Sequence, residues 1–166
     1  HYAPGVPPVL DAALLRRWAR TAVAALERHA AEIDRINVFP VPDSDTGTNL
    51  VLTMRAAVDA AAQDGDSVAA ALARGALVGA RGNSGVILSQ VLRGIADAVA
   101  AVAGPSRGGA VLADALVRAH RLATAAVTRP REGTVLSVLS AAAVAAAAVG
   151  SDRLDDVAVA AADAAR

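Results

Sequence analysis

The sequence predicts an all-α fold, an antiparallel bundle or barrel of about seven to eight helices. Three observations predict it. Apolar residues recur at helical spacing along most of the chain, and no run alternates apolar and polar residues as a half-buried strand does. Ala, Val and Leu carry nearly all of a 55% apolar content, with one each of Phe, Tyr, Trp and Met. Ala favours helix intrinsically, and its small side chain lets helices approach closely. At 166 residues the chain fits a single domain able to bury a core.

The elements follow in order. Asp11 can cap a first helix whose apolar positions run through Leu14, Leu15, Trp18, Val23 and Leu26 toward Ile33. Ile36 to Gly47 breaks that pattern with two prolines, Asp43, Asp45 and Gly47. A second helix is expected from Thr48 or Asn49 to about Ala62, followed by the turn Gln63-Asp64-Gly65-Asp66. Ser67 can cap a third helix through Leu72 and Leu77. The glycine-rich stretch Gly79 to Gly85 leads into a fourth helix from about Ser84 to Val102. After a loop at Gly104 to Gly109, a fifth helix spans roughly Ala110 to Thr128. Arg129 to Gly133 connects to a sixth helix starting at Thr134, and Asp152 starts a seventh that reaches the C-terminus. Short connections of this kind suit antiparallel neighbours.

Composition excludes several classes. The formal net charge is zero, every basic residue is Arg, and no basic block is interleaved with aromatics, which argues against nucleic acid as a main partner. With no Cys, disulfides and thiolate zinc sites are ruled out, in keeping with a cytoplasmic protein. His1 to Pro8 lacks the charged and apolar regions of a signal peptide. Gly133 to Ser151 is uncharged and long enough to span a bilayer, but its apolar content is largely Ala and is interrupted by Thr134, Ser137 and Ser140, so a buried core helix is the better reading. A start at His1 and a last helix without a capping glycine read as one domain cut from a longer multidomain protein, truncated at its C-terminus.

The acidic turn Pro42-Asp43-Ser44-Asp45-Thr46-Gly47-Thr48-Asn49 carries the strongest chemical signal. Asp43 and Asp45 sit two residues apart behind the stiff Pro40-Val41-Pro42 lead-in. Two neighbouring carboxylates repel unless a cation lies between them. Hard oxygen donors suit Mg²⁺, which takes one or two carboxylates plus phosphate oxygens and water. The helix start that follows offers N–H groups and the positive end of a dipole to an anion. A plain cap of the second helix would account for one of these aspartates but not both. A calcium loop lacks its third oxygen ligand and distal Glu here.

Two further helix starts repeat the theme. Gly79-Ala80-Arg81-Gly82-Asn83-Ser84-Gly85 lets backbone N–H groups approach a phosphate, with Asn83, Ser84 and Arg81 as side-chain donors. A cap in a tight turn between helices explains it about as well, and the Lys-Ser/Thr ending of a Walker A loop is absent. Thr134, after Glu132-Gly133, is a cap or a further anion contact. In an up-and-down bundle the second, fourth and sixth helices run the same way, so their N-termini can gather at one end.

Taken together, Asn37 to Asn49, Gly79 to Gln90 and Pro130 to Leu136 resemble, in that order, three motifs of the N-terminal domain of bacterial fatty acid kinase. That domain is related to the L subunit of dihydroxyacetone kinase. The similarity covers roughly Leu10 to Arg166. The resemblance implies a helical barrel that binds ATP or ADP at one end with two Mg²⁺. On it, Asp43 and Asp45 fall on metal-binding carboxylates, and Asn37, a neutral and weaker ligand, is the nearest counterpart of a third. Thr46, Gly47, Thr48, Asn49, Gly82, Asn83, Ser84, Gly85 and Thr134 fall on nucleotide-contacting segments. Ser44 stands where the family usually has Gly, and the family's C-terminal glycine-rich segment does not occur in this chain.

The implied reaction is transfer of the γ-phosphate of ATP to a fatty acid carboxylate, presented by a separate lipid-binding protein resembling the DegV family. A carboxylate is ionised at neutral pH, so no general base is needed. His29 and His120 accordingly read as surface or structural residues. A homodimer through regions outside this chain is compatible with the resemblance. Two alternatives stand beside it: an L-type phosphotransfer subunit acting on dihydroxyacetone, disfavoured by the Pro-Val-Pro lead-in and Asn83, and a helical interaction domain without enzymatic activity.

Overall fold

The structure, a computed structural model, describes residues 9–37, 43–63, 67–102, 108–130 and 134–166. The Pro40-Val41-Pro42 lead-in, residues 64–66 of the second turn, most of the loop before the fifth helix, and Glu132-Gly133 lie outside them. The described residues form seven helices and no strand, as the apolar spacing predicts. They are α1 (Ala12–Ile36), α2 (Thr46–Ala62), α3 (Val68–Val78), α4 (Gly82–Ala100), α5 (Gly108–Ala125), α6 (Val135–Val149) and α7 (Leu154–Ala164). The expected boundaries hold to within a few residues. The informative departures are at α2 and α4, each of which starts two residues before the earliest position the pattern predicts.

The chain divides into two units, one of Ala12–Leu92 and one of the residues up to Asp11 with Arg93–Arg166. In the first, α1 and α2 are antiparallel: Gly47 lies against Ala30, and further along α2 Arg55 pairs with Glu27 at 2.6 Å. α3 returns along α2, with Gly75 against Ala57 and Ala60, and Gly79 against Ala56. The first turns of α4 then run beside α2 in the same direction, Gly82 next to Asn49 and Gly85 next to Thr53. Met54, Leu72 and Leu92 are the largest side chains fully buried here. Each such burial is worth about 1.5–3 kcal/mol. The many buried alanines contribute less apiece, so the core depends on the close helix approach that small residues permit.

In the second unit, Gly94 packs against the backbone of Ala119, and Ala98 clusters with Val111 and Ala115, which makes α4 and α5 antiparallel. Ala142 and Ala146 of α6 pack with Val157 and Ala161 of α7. Gly150, at φ 62°, ends α6 in the left-handed conformation that a helix C-terminus favours. The expectation of a buried α6 is met on one face only. Leu136, Ala142, Ala143 and Ala146 are buried, whereas Val144 is 66% exposed. Among the described residues no helix is long and apolar enough to cross a membrane.

Candidate functional site

The acidic turn is built on the end of α1. Asp34, in the last turn of α1, reaches the start of α2 with both carboxylate oxygens. Its Oδ1 accepts from Gly47 N at 2.6 Å and Thr48 N at 3.1 Å, and its Oδ2 accepts from Thr48 Oγ1 at 2.8 Å. Partial burial pushes the Asp34 carboxyl up. The hydrogen bonds from the Thr48 hydroxyl, Thr48 N–H and Gly47 N–H outweigh that and hold it below the usual carboxylate range. These bonds also explain the early start of α2, because a carboxylate on the first N–H groups satisfies donors that would otherwise be orphaned.

This corrects the expectation that the first N–H groups of α2 stand open to an outside anion, since two of them already serve Asp34. It also answers whether Asp43 or Asp45 is merely the cap. Asp45 occupies the N-cap position, but its side chain makes no cap hydrogen bond. Asp43 is exposed and accepts from Asn37 Nδ2 at 2.7 Å. Neither carboxylate is therefore consumed in starting the helix. Between them Ser44 has φ 55°, a left-handed backbone that glycine adopts more readily. Glycine would fit at this position without strain.

The second motif lies beside the first. Gly82, at φ 59°, stands against the side-chain amide of Asn49, so close that a methyl group there would lie 2.6 Å from Nδ2. One turn further, Thr53 is fully buried. Its hydroxyl donates to Asn49 O at 2.8 Å and accepts from Arg81 N at 3.1 Å. Thr53 thereby ties the loop before α4 to the first turn of α2, with Gly82 and Asn83 exposed above it. The N-termini of α2 and α4 are parallel neighbours, and the residues of two separate motifs, Asn49 and Gly82, are in contact. Thr134 belongs to the other unit, where it caps α6 by accepting from Leu136 N at 3.3 Å.

The donor set suits a hard divalent cation. Among the described residues no group of three or more His, Cys, Asp and Glu could hold a metal by itself. Two carboxylates that leave the remaining positions to phosphate oxygens and water are what Mg²⁺ commonly takes, so the residues present fit that ion. His29 is on the surface beside Glu32 at 3.5 Å.

Asp34 and Thr53 were not singled out by the sequence reading. Asp34 had a faint signal, since a carboxylate in the last turn of a helix faces the unfavourable end of the dipole and invites the question of what offsets it. Thr53 is a polar residue on the buried stripe of α2, between Val51 and Ala57. A mid-helix Thr can bond back to the carbonyl four residues before, and that local bond hides its second, long-range one.

Residues 40–166 match the model of the DAK2 domain. Protein YloV of Bacillus subtilis is 43% identical over 122 residues, covering 71% of this chain and 22% of that protein. An uncharacterized protein of Staphylococcus saprophyticus is 36% identical over 141 residues, covering 82% of this chain and 25% of its own length. An uncharacterized protein of Staphylococcus aureus strain USA300 is 38% identical over 125 residues, covering 73% of this chain and 22% of its own. The chain thus spans a quarter or less of the length of these relatives.

Proposed function

The chain belongs to the DAK2 domain family, and from that premise we propose that it is the Mg²⁺–ATP-binding domain of a kinase that phosphorylates a fatty acid carboxylate. The observation that carries this reading is the juxtaposition of two helix starts. The turn bearing Asp43 and Asp45 opens α2, and the Gly82-Asn83-Ser84 start of α4 lies beside it through Asn49 and Thr53.

Asp43 and Asp45 would hold the Mg²⁺, with Asn37 orienting Asp43. Gly82, Asn83, Ser84 and Gly85 would face phosphate oxygens, joined by Thr46 and Asn49, while Thr48, held by Asp34 through its N–H and its hydroxyl, would support them. Held there, the cation would supply neutralisation of phosphate charge. The acyl carboxylate, ionised at neutral pH, attacks the γ-phosphorus while the bond to the β,γ-bridging oxygen breaks, giving an acyl phosphate and ADP. No proton needs to move, and the site's work is positioning and charge neutralisation. The acyl group would arrive on a separate lipid-binding protein of the DegV type.

Calorimetry on the full-length protein tests the site. Asp43→Ala and Asp45→Ala are each expected to abolish Mg²⁺-dependent ATP binding, and unchanged affinity would remove these residues from it. The DAK2 match favours, as a second reading, an L-type subunit acting on dihydroxyacetone. Phosphoryl transfer to carrier-bound fatty acid but not to dihydroxyacetone separates the two.

A further inference from the structure

We propose that Asp34 is a positioning residue that braces the aspartate turn, and that its grip on α2 fixes how strongly the site takes up Mg²⁺. The inference rests on the magnesium–nucleotide reading above. Asp34 lies 13 and 14 residues before the groups it holds, so it staples two helices together rather than closing a local cap. Both of its oxygens are engaged on Gly47 and Thr48. Holding those residues holds Asp45, whose carbonyl accepts the first helical bond of α2 from Asn49 N at 2.8 Å. Three residues beyond Asp34, Asn37 donates to Asp43 at 2.7 Å. The end of α1 therefore grips each aspartate separately, Asp43 through Asn37 and Asp45 through the Asp34 bonds.

Two like charges held close push the turn open until a cation arrives. A brace on both sides keeps them in place beforehand, so less ordering remains when the ion binds. The same bonds withhold the Gly47 and Thr48 N–H groups from phosphate, which leaves the α4 start as the phosphate-facing side. Removing the partner that orients a metal ligand commonly weakens metal affinity by about 10–100-fold.

The test is the Mg²⁺ concentration that gives half-maximal ATP binding in the full-length protein, read by calorimetry for wild type, Asp34→Ala and Asp34→Asn. Asp34→Ala is expected to raise that midpoint on the order of tenfold. Asp34→Asn, which keeps an oxygen for the N–H groups but cannot accept from the Thr48 hydroxyl while doing so, should fall between. A purely structural role would lower the fraction of protein that binds without moving the midpoint, and that result overturns the proposal. An unchanged midpoint with full binding overturns it too, leaving the nucleotide reading intact. Absence of Mg²⁺-dependent ATP binding in the wild type overturns that reading and this inference with it. If Asp34→Ala does not fold, the Asp34→Asn midpoint carries the same decision.

Discussion

At φ 55°, Ser44 keeps a left-handed backbone between two aspartates. For a residue with a Cβ this conformation costs about 1–2 kcal/mol. Glycine would relieve that cost but enlarge the unfolded ensemble by about 0.4–1 kcal/mol. The first effect is larger, so Ser44→Gly is expected to stabilise the protein by up to about 1 kcal/mol in urea denaturation; a loss of stability would contradict the turn geometry. Asp34 makes a second prediction at this scale. Its carboxyl is held below the ordinary value in the folded state. Its contribution is therefore present above the unfolded pKa of about 3.9 and is lost as pH falls through the lower folded value. The stability gap between wild type and Asp34→Asn should be widest near neutrality and close below about pH 4, measured by denaturation across that range. A gap that stays constant with pH would show that the carboxylate charge is irrelevant to the cap.

Among the elements, α2 is the one whose placement matters most, because it carries the end of the acidic turn and, through Asn49 and Thr53, touches the neighbouring motif. Its start is legible in the sequence only approximately. Thr46 and Gly47 read as loop because Gly and β-branched residues are poor helix formers. They are helical because Asp34, from another helix, satisfies their end. Gly47 is also buried where α2 meets α1, and a methyl group there would collide with the carbonyl and Cα of Ala30. Replacing Gly by Ala in a helix ordinarily gains about 1 kcal/mol. Here backbone has to move, and overpacking costs about 1–3 kcal/mol or more. Gly47→Ala is thus expected to destabilise on balance, and a rise in the denaturation midpoint would refute the close approach of α1 and α2.

For the molecule as a whole, the helical class, the order of the described helices and the membership of the DAK2 domain family follow from the linear pattern. Apolar spacing depends on local periodicity, and the motifs from Asn37 to Asn49 and Gly79 to Gln90 are contiguous, so both are readable without a fold. The carboxylates Asp43 and Asp45 stand out for the same reason: their residue types and spacing are what prompts the proposal of a cation there. What the pattern left open was which groups are already spent. Whether Asp45 caps α2, whether the N–H groups of Gly47 and Thr48 await an anion, and whether Asn49 meets Gly82 all depend on partners 13 to 33 positions away. Such partners are chosen by helix packing, which no local window encodes. The sequence by itself determined the helical class and the family, and it singled out the two aspartates on which the proposed site rests. Only the tertiary structure decided that Asp34 holds α2, that Thr53 ties α4 to it, and that two motifs separated in the chain open side by side.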